Sequence, residues 1–274
     1  MKNTVVTFRE AKGQEKLVML TAYDYSTAQV MDMAGVDALL VGDSLGMVML
    51  GYDSTVPVTM EDMVHHTKPV VRGAANTFIV ADMPFGSYNV SLSETMRNAN
   101  RLMQEGGADA IKLEGGEGVL DLVAALTSGG VPVMGHIGLT PQTASQLGGF
   151  KVQGKDAAAA QQLIEDAMSL EEAGAFAIVL ECVPAPVAKM ISEKLSIPTI
   201  GIGAGPDCDG QVLVIHDLLG IFDRFTPKFV KKYAALNGTI VDALSTYAKE
   251  VEDGTFPGPE HSFGMVEEEL QRLY

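Results

Sequence analysis

Cys182 and Cys208 are the only two cysteines among 274 residues. That excludes a disulfide framework and suits a reducing cytoplasm. Basic residues are also scarce. Lys and Arg total 19 against 35 Asp and Glu, a net charge of −16. So acidic a chain is repelled by phosphate backbones and by anionic lipid, which argues against general nucleic-acid or membrane-surface binding. No apolar run reaches the roughly 18 residues of a membrane span, and the first ten residues lack the apolar stretch of a signal peptide. Fixed-period repeats, low-complexity tracts and Pro/Gly/Ser linkers are missing as well. A single domain over 1–274 is the expected organisation.

Hydrophobic residues make up 47% and charged residues 20%, the composition of a globular protein with ample core. Short apolar runs fall at 17–22, 38–42, 78–81, 110–113, 131–135, 177–180, 198–202 and 212–215. Most are solidly apolar rather than alternating, as in parallel strands buried on both faces. Amphipathic stretches such as 91–106, 156–173 and 186–195 lie between them. Eight such units, in a chain close to the roughly 250 residues typical of the fold, predict an α/β (β/α)8 TIM barrel. A doubly wound open sheet is the structural alternative. Outside the eight units, 4–12 predicts a short N-terminal helix that plugs the barrel floor. Amphipathic stretches at 228–236 and 240–251 predict extra C-terminal helices.

Barrels of this class carry their chemistry at the C-terminal ends of the strands. The second run ends in Gly42-Asp43-Ser44 and the third in Asp82. The fourth contains Lys112 and ends in Glu114, the fifth ends in Gly135-His136, and the sixth ends in Glu181. Charged groups there need partners or a metal, because burying them alone is costly. Asp43, Asp82 and Glu114 are oxygen donors without cysteine, a set that suits a hard cation such as Mg²⁺. Helix caps or partners of Arg and Lys are the plainer roles for single acids. Lys112 and Glu114 are two apart and share a face. Adjacent carboxylates oppose the depressed pKa of a Schiff-base lysine, so Lys112 reads as an anion binder. Glu181 against an apolar wall can act as a general base. His136 taken alone reads first as a hydrogen-bonded core histidine, with ligation or proton transfer as alternatives.

Other features carry less. The glycine-rich stretch 201–206 follows the seventh strand, where barrels often bind phosphate, but tight turning is its simpler use. Cys182 reads as packing, and Met31, Met33, Met47 and Met49 read as core filler. His65-His66 and Glu267-Glu268-Glu269 read as solvated helix faces.

Longer motifs identify a family. Thr21-Ala22-Tyr23-Asp24, Val41-Gly42-Asp43-Ser44-Leu45-Gly46 and Asp82-Met83-Pro84-Phe85-Gly86-Ser87-Tyr88 resemble the ketopantoate hydroxymethyltransferases. So do Lys112-Leu113-Glu114-Gly115-Gly116, Gly135-His136-Ile137-Gly138-Leu139-Thr140-Pro141-Gln142 and Glu181-Cys182-Val183-Pro184. Ile200-Gly201-Ile202-Gly203-Ala204-Gly205, the following Asp209-Gly210-Gln211-Val212-Leu213-Val214, Phe256-Pro257 and Glu260-His261-Ser262-Phe263 match in the same order. The resemblance implies a barrel of the phosphoenolpyruvate/pyruvate-binding type. It implies transfer of a hydroxymethyl group from 5,10-methylenetetrahydrofolate to 3-methyl-2-oxobutanoate, giving 2-dehydropantoate, the first step of pantothenate biosynthesis. It also implies Mg²⁺, a cytoplasmic setting and a homo-oligomer, expected as a homodecamer.

By the same resemblance Asp43 and Asp82 ligate the metal, and Glu114 joins them directly or through water. Ser44 and Lys112 clamp the substrate carboxylate, His136 lies beside the substrate, and Glu181 is the proton acceptor. Residues 86–91 and the C-terminal segment are the guesses for the pterin. The rivals are a Mg²⁺-dependent 2-oxo acid lyase or mutase on the same barrel, and a non-catalytic metabolite-binding barrel.

Overall fold

In the computed structural model, residues 3–274 are described. Eight parallel strands close into one barrel in the order β1 to β8. They are β1 (Leu17–Thr21), β2 (Ala38–Val41), β3 (Phe78–Asp82), β4 (Ala110–Glu114), β5 (Val133–Gly138), β6 (Ala177–Glu181), β7 (Thr199–Ile202) and β8 (Gly210–Leu213). The α-helices are α1 (Val5–Glu10), α2 (Tyr25–Met33), α3 (Leu45–Val48), α4 (Met60–Gly73), α5 (Leu92–Arg101) and α6 (Leu120–Ser128). They continue with α7 (Ala157–Glu172), α8 (Ala185–Lys194), α9 (Ile215–Leu218), α10 (Leu236–Glu252) and α11 (Glu267–Leu270). Side-chain caps start several of them where the chain leaves a strand. Asp24 accepts from Thr27 N–H at 2.9 Å, Thr59 and Asp62 form a capping box, and Asp156 accepts from Ala159 N–H at 2.9 Å.

Strand alternation sorts the apolar residues into two cores. Inside the barrel Leu17, Met19, Ala38, Leu40, Phe78, Val80, Ala110, Met134, Ala177, Val179, Ile200 and Val212 pack on one another. Outside it Leu39, Ile79, Ile111, Leu113, Val133, Ile178 and Leu180 pack against the helices. The N-terminal helix does plug the floor. Phe8 of α1 is 1% exposed, and its ring lies 5.8 Å from Phe78 and 5.7 Å from Phe176. At about 25 cal/mol per Å² of apolar surface, burying one such ring contributes on the order of 3 kcal/mol.

The open sheet is thereby excluded, and four expectations need correction. β5 runs to Gly138, so His136 lies within the strand and not at its end. β8 starts two residues before the apolar run, because Gly210 and Gln211 pair with both β1 and β7. Residues 228–236 do not form a helix. Their amides are drawn to the end of α9 instead: Tyr233 N–H donates to Leu218 O at 2.8 Å and Leu236 N–H to Leu219 O at 3.0 Å. Met33 is 82% exposed and Met49 40%, so neither is core filler.

The chain beyond this point leaves its own barrel. No residue of α10 is buried, and Ile240, Leu244, Tyr247 and Val251 form an exposed apolar stripe at helical spacing. On the barrel, outward-facing Val18 of β1 is 50% exposed and Gln211 of β8 is exposed. An eighth helix would ordinarily cover that face.

Candidate active site

Asp43, Ser44, Asp82, Lys112, Glu114, His136 and Glu181 all line one cavity of about 390 Å³ at the C-terminal mouth. The barrel register explains the meeting. Asp82 pairs with Lys112 across β3 and β4, Glu114 with His136 across β4 and β5, and Gly138 with Glu181 across β5 and β6. The alternation that points Val80, Ala110, Met134 and Val179 inward carries on to Asp82, Lys112, Glu114, His136 and Glu181 above them, while Asp43 lies in the turn beyond β2.

Lys112 is 3% exposed, and its Nζ lies 2.9 Å from Asp82 Oδ1 and 3.1 Å from His136 Nδ1. Asp82 Oδ2 accepts the Asp43 backbone N–H at 3.0 Å. His136 Nδ1 stands 3.5 Å from Glu114 Oε1, and Nε2 stands 3.3 Å from Glu181 Oε2, off the line of a good hydrogen bond. Burial and the Lys112 charge hold the His136 pKa well below its ordinary value. The imidazole is therefore neutral, Nδ1 accepts from the ammonium, and Nε2 carries the hydrogen toward Glu181. Burial alone would lower the Lys112 pKa, but Asp82, Glu114 and Asp43 outweigh it and hold the lysine charged. That disposes of Schiff-base chemistry at Lys112. Burial raises Glu181 to about 7, with Lys112 opposing. Burial, then the charge of Asp82, raises Asp43 to about 7. Glu114 is pushed well above its usual value, chiefly by burial.

Asp43, Asp82, Glu114 and Glu181 thus crowd around Lys112 in the cavity, which Asp217 and Lys228 also line. The raised pKa values are chiefly the cost of burying that charge, with Asp82 adding to it at Asp43. A divalent cation would relieve it, and hard oxygen donors are the right chemistry for Mg²⁺. Among the described residues no three His, Cys, Asp or Glu side chains converge closely enough to hold an ion by themselves. That still fits Mg²⁺, which commonly takes one or two carboxylates and fills its octahedron with water and substrate oxygens.

Two residues without charge support the lining from behind and escaped the sequence reading. Gln142 Nε2–H groups donate to Asp43 Oδ2 at 2.8 Å and to Met83 O at 3.0 Å, while its Oε1 accepts from Tyr88 O–H at 2.6 Å. Its backbone N–H donates to Glu114 Oε2 at 3.1 Å. Tyr23 O–H meets Ser44 Oγ at 2.8 Å, and burial raises its pKa so that it stays a neutral phenol. Strand-end counting misses Gln142 because it sits in the turn after β5. It misses Tyr23 because that residue lies just beyond β1 in an otherwise apolar stretch. Residues 86–91 do not line the cavity. Ser87 and Tyr88 brace it from behind: Asn98 Nδ2–H donates to Ser87 O at 2.8 Å.

Cys182 adopts φ of 49°, a left-handed conformation unusual for a residue with a side chain. Its N–H donates to Ile202 O and its C=O accepts from Gln153 N–H, both at 2.9 Å, so the turn that aims Glu181 is held from two sides. Burial and then Glu181 push the Cys182 thiol up to about 11, so it is not a nucleophile. His66 is part-buried, with Nδ1 2.7 Å from Tyr23 O, and is not the solvated residue expected.

A family model described as ketopantoate hydroxymethyltransferase matches residues 2–259. The chain is 64% identical over 274 residues to a 3-methyl-2-oxobutanoate hydroxymethyltransferase of Heliobacterium modesticaldum, covering 100% of this chain and 99% of that protein. It is 58% identical over 275 residues to the protein of the same name from Enterococcus faecalis, covering 100% of each. Among solved structures, a phosphonopyruvate hydrolase complexed with oxalate and Mg²⁺ superposes with a TM-score of 0.63 at 13% identity, covering 98% of this chain and 94% of that one. A 2,3-dimethylmalate lyase of the PEP mutase/isocitrate lyase superfamily superposes at 0.58 and 16% identity, covering 100% and 95%. Those two share the barrel; the full-length matches go further, and the chain belongs to the ketopantoate hydroxymethyltransferase family.

Proposed function

We propose that the chain transfers a hydroxymethyl group from 5,10-methylenetetrahydrofolate to 3-methyl-2-oxobutanoate, giving 2-dehydropantoate and tetrahydrofolate. The observation that carries this is the single cavity in which Lys112 stands among Asp43, Asp82, Glu114 and Glu181, in a chain of this family. Asp43 and Asp82 would hold Mg²⁺, with Glu114 reaching it through water. Bound there, the ion supplies Lewis-acid polarisation of the 2-oxo group and acidifies the hydrogen on C3.

The charged Lys112 ammonium and Ser44 clamp the substrate carboxylate, which answers how so acidic a chain binds an anion. Tyr23 keeps the Ser44 hydroxyl oriented. Glu181 removes the C3 proton; a pKa of about 7 lets it take that proton and give it up near neutrality. His136 Nε2–H stands 3.3 Å from Glu181 Oε2, where a small shift would let it donate to the anionic form. C3 then bonds to the methylene carbon, both C–N bonds to that carbon break with their electron pairs left on the two folate nitrogens, a water oxygen becomes the new hydroxyl, and the nitrogens take up the proton lost from C3 and one from that water.

The chain assembles with copies of itself in this proposal, ten by the resemblance, in the cytoplasm. The unpartnered stripe of α10 and the uncovered face of β8 and β1 support assembly, since each is the kind of surface the other would cover. A lyase or mutase activity is not favoured, because the neighbouring 2,3-dimethylmalate lyase shares only the fold.

Proton NMR tests the reaction in one tube holding the protein, Mg²⁺, both substrates and D₂O, with a chelator control. A new hydroxymethyl signal that disappears with chelator is expected. C3 exchange without that signal would sink the folate assignment, and neither change would leave a binding-only barrel.

A further inference from the structure

The catalytic floor uses only the lower part of the cavity. Above it the lining changes from charged to aromatic. Aromatic residues are just 6% of the chain and tryptophan is absent, yet four of its ten phenylalanines, Phe150, Phe222, Phe225 and Phe229, line this one cavity. Phe150 and Phe225 are 59% and 68% exposed, so the mouth presents large apolar rings to solvent. Such a surface beside a polar centre marks a ligand seat.

The glycine-rich turn after β7 explains part of this wall. Gly203 has φ of +66°, and a Cβ there would come 2.7 Å from Cδ1 of Phe229. The missing side chain is what admits the Phe229 ring at the end of β7. The segment 222–229, freed from helix by Pro227, brings Phe222, Phe225, Lys228 and Phe229 to the rim together.

We infer that this aromatic rim seats the planar pterin and aminobenzoyl rings of the reduced folate, with Lys228 facing the carboxylates of its glutamyl tail. The inference rests on the reaction proposed above. If the oxo acid occupies the floor, the one-carbon donor must reach C3 from the mouth, because α1 closes the other end. The donor is flat, aromatic and anionic at its tail. Phenylalanine faces suit the rings, and a lysine at the rim offers the cation that a chain of net charge −16 otherwise lacks there.

The test compares wild type with Phe225→Ala, Phe229→Leu and Lys228→Gln. Two quantities are read for each: calorimetric affinity for tetrahydrofolate with Mg²⁺ and oxo acid present, and folate-free deuterium incorporation at C3. For each phenylalanine variant, folate affinity should fall at least tenfold, out of proportion to any change in exchange. Lys228→Gln should weaken a polyglutamylated folate more than the pterin alone. Unchanged folate affinity in both phenylalanine variants, or equal losses in affinity and exchange, would overturn the proposal. Unchanged affinity with altered sedimentation would assign the rings to contact with a second copy. Failure of the wild type to exchange C3 would strike the proposed reaction separately, since folate affinity is measured on its own.

Discussion

Gln142 shows how a neutral residue can govern a charged site. Both amide hydrogens and the amide oxygen are occupied, and the backbone N–H holds Glu114, so the side chain has one orientation. Gln142→Glu would set a carboxylate against Asp43 and the Met83 carbonyl. Affinity for Mg²⁺ with oxo acid should fall by roughly 10–100-fold, the usual cost of losing a partner that orients a ligand. Wild-type titration curves in that variant would remove Gln142 from the site. At Glu181, the rate of C3 exchange should climb with pH through about 7 as the base ionises. Glu181→Gln should retain oxo-acid binding and lose exchange, and undiminished deuterium incorporation would reject it as the base. The acids were legible in the sequence because each ends a buried apolar run, where a charge demands an explanation. Gln142 and Tyr23 were not, since an amide in a turn and a phenol beside a strand leave no mark in periodicity or charge.

At the level of elements, β5 and β6 form the frame on which Glu181 depends. Gly138 ends β5 at φ of +93°, and a Cβ there would overlap the Glu181 carbonyl oxygen and press on Val183. That carbonyl also accepts Leu139 N–H at 2.8 Å. Gly138→Ala should therefore destabilise the fold by about 2 kcal/mol or more, combining backbone strain with overpacking. Urea unfolding would measure it, and an unchanged midpoint would contradict the close approach. All eight strands could be found as apolar runs, because a parallel sheet buried on both faces writes itself as continuous hydrophobicity. The stretch 228–236 deceived for a physical reason. Its pattern is amphipathic, but carbonyls at the end of α9 capture its amides. A local period cannot register a competing partner as far off as Leu218 is from Tyr233. The start of β8 at Gly210-Gln211 was likewise set by pairing with β1 and β7 and not by hydropathy.

Across the whole molecule, the buried acids tie stability to pH and metal. Glu181 and Asp43 titrate near 7 when folded, against 4.5 and 3.8 as ordinary carboxylates. Between those limits the folded chain holds protons that the unfolded chain has released. Their contribution is full below the ordinary carboxylate values and declines as pH rises through about 7, by about 3 kcal/mol for Glu181 alone. Mg²⁺ should consequently raise the melting temperature more at pH 8 than at pH 6, and equal shifts would refute the charge-relief argument. Sedimentation should show more than one copy, and Leu244→Glu on the α10 stripe should shift it toward monomer. Neither the fate of α10 nor the copy number is legible in one chain's sequence, because an amphipathic helix reads alike whichever barrel it covers. The sealed floor has a kinetic consequence. A chamber with one doorway makes its visitors queue: the small acid must enter before the large folate blocks the way, and the new acid must wait for the spent folate to depart. Product-inhibition patterns should therefore report a compulsory order of addition, with 2-dehydropantoate the last to leave.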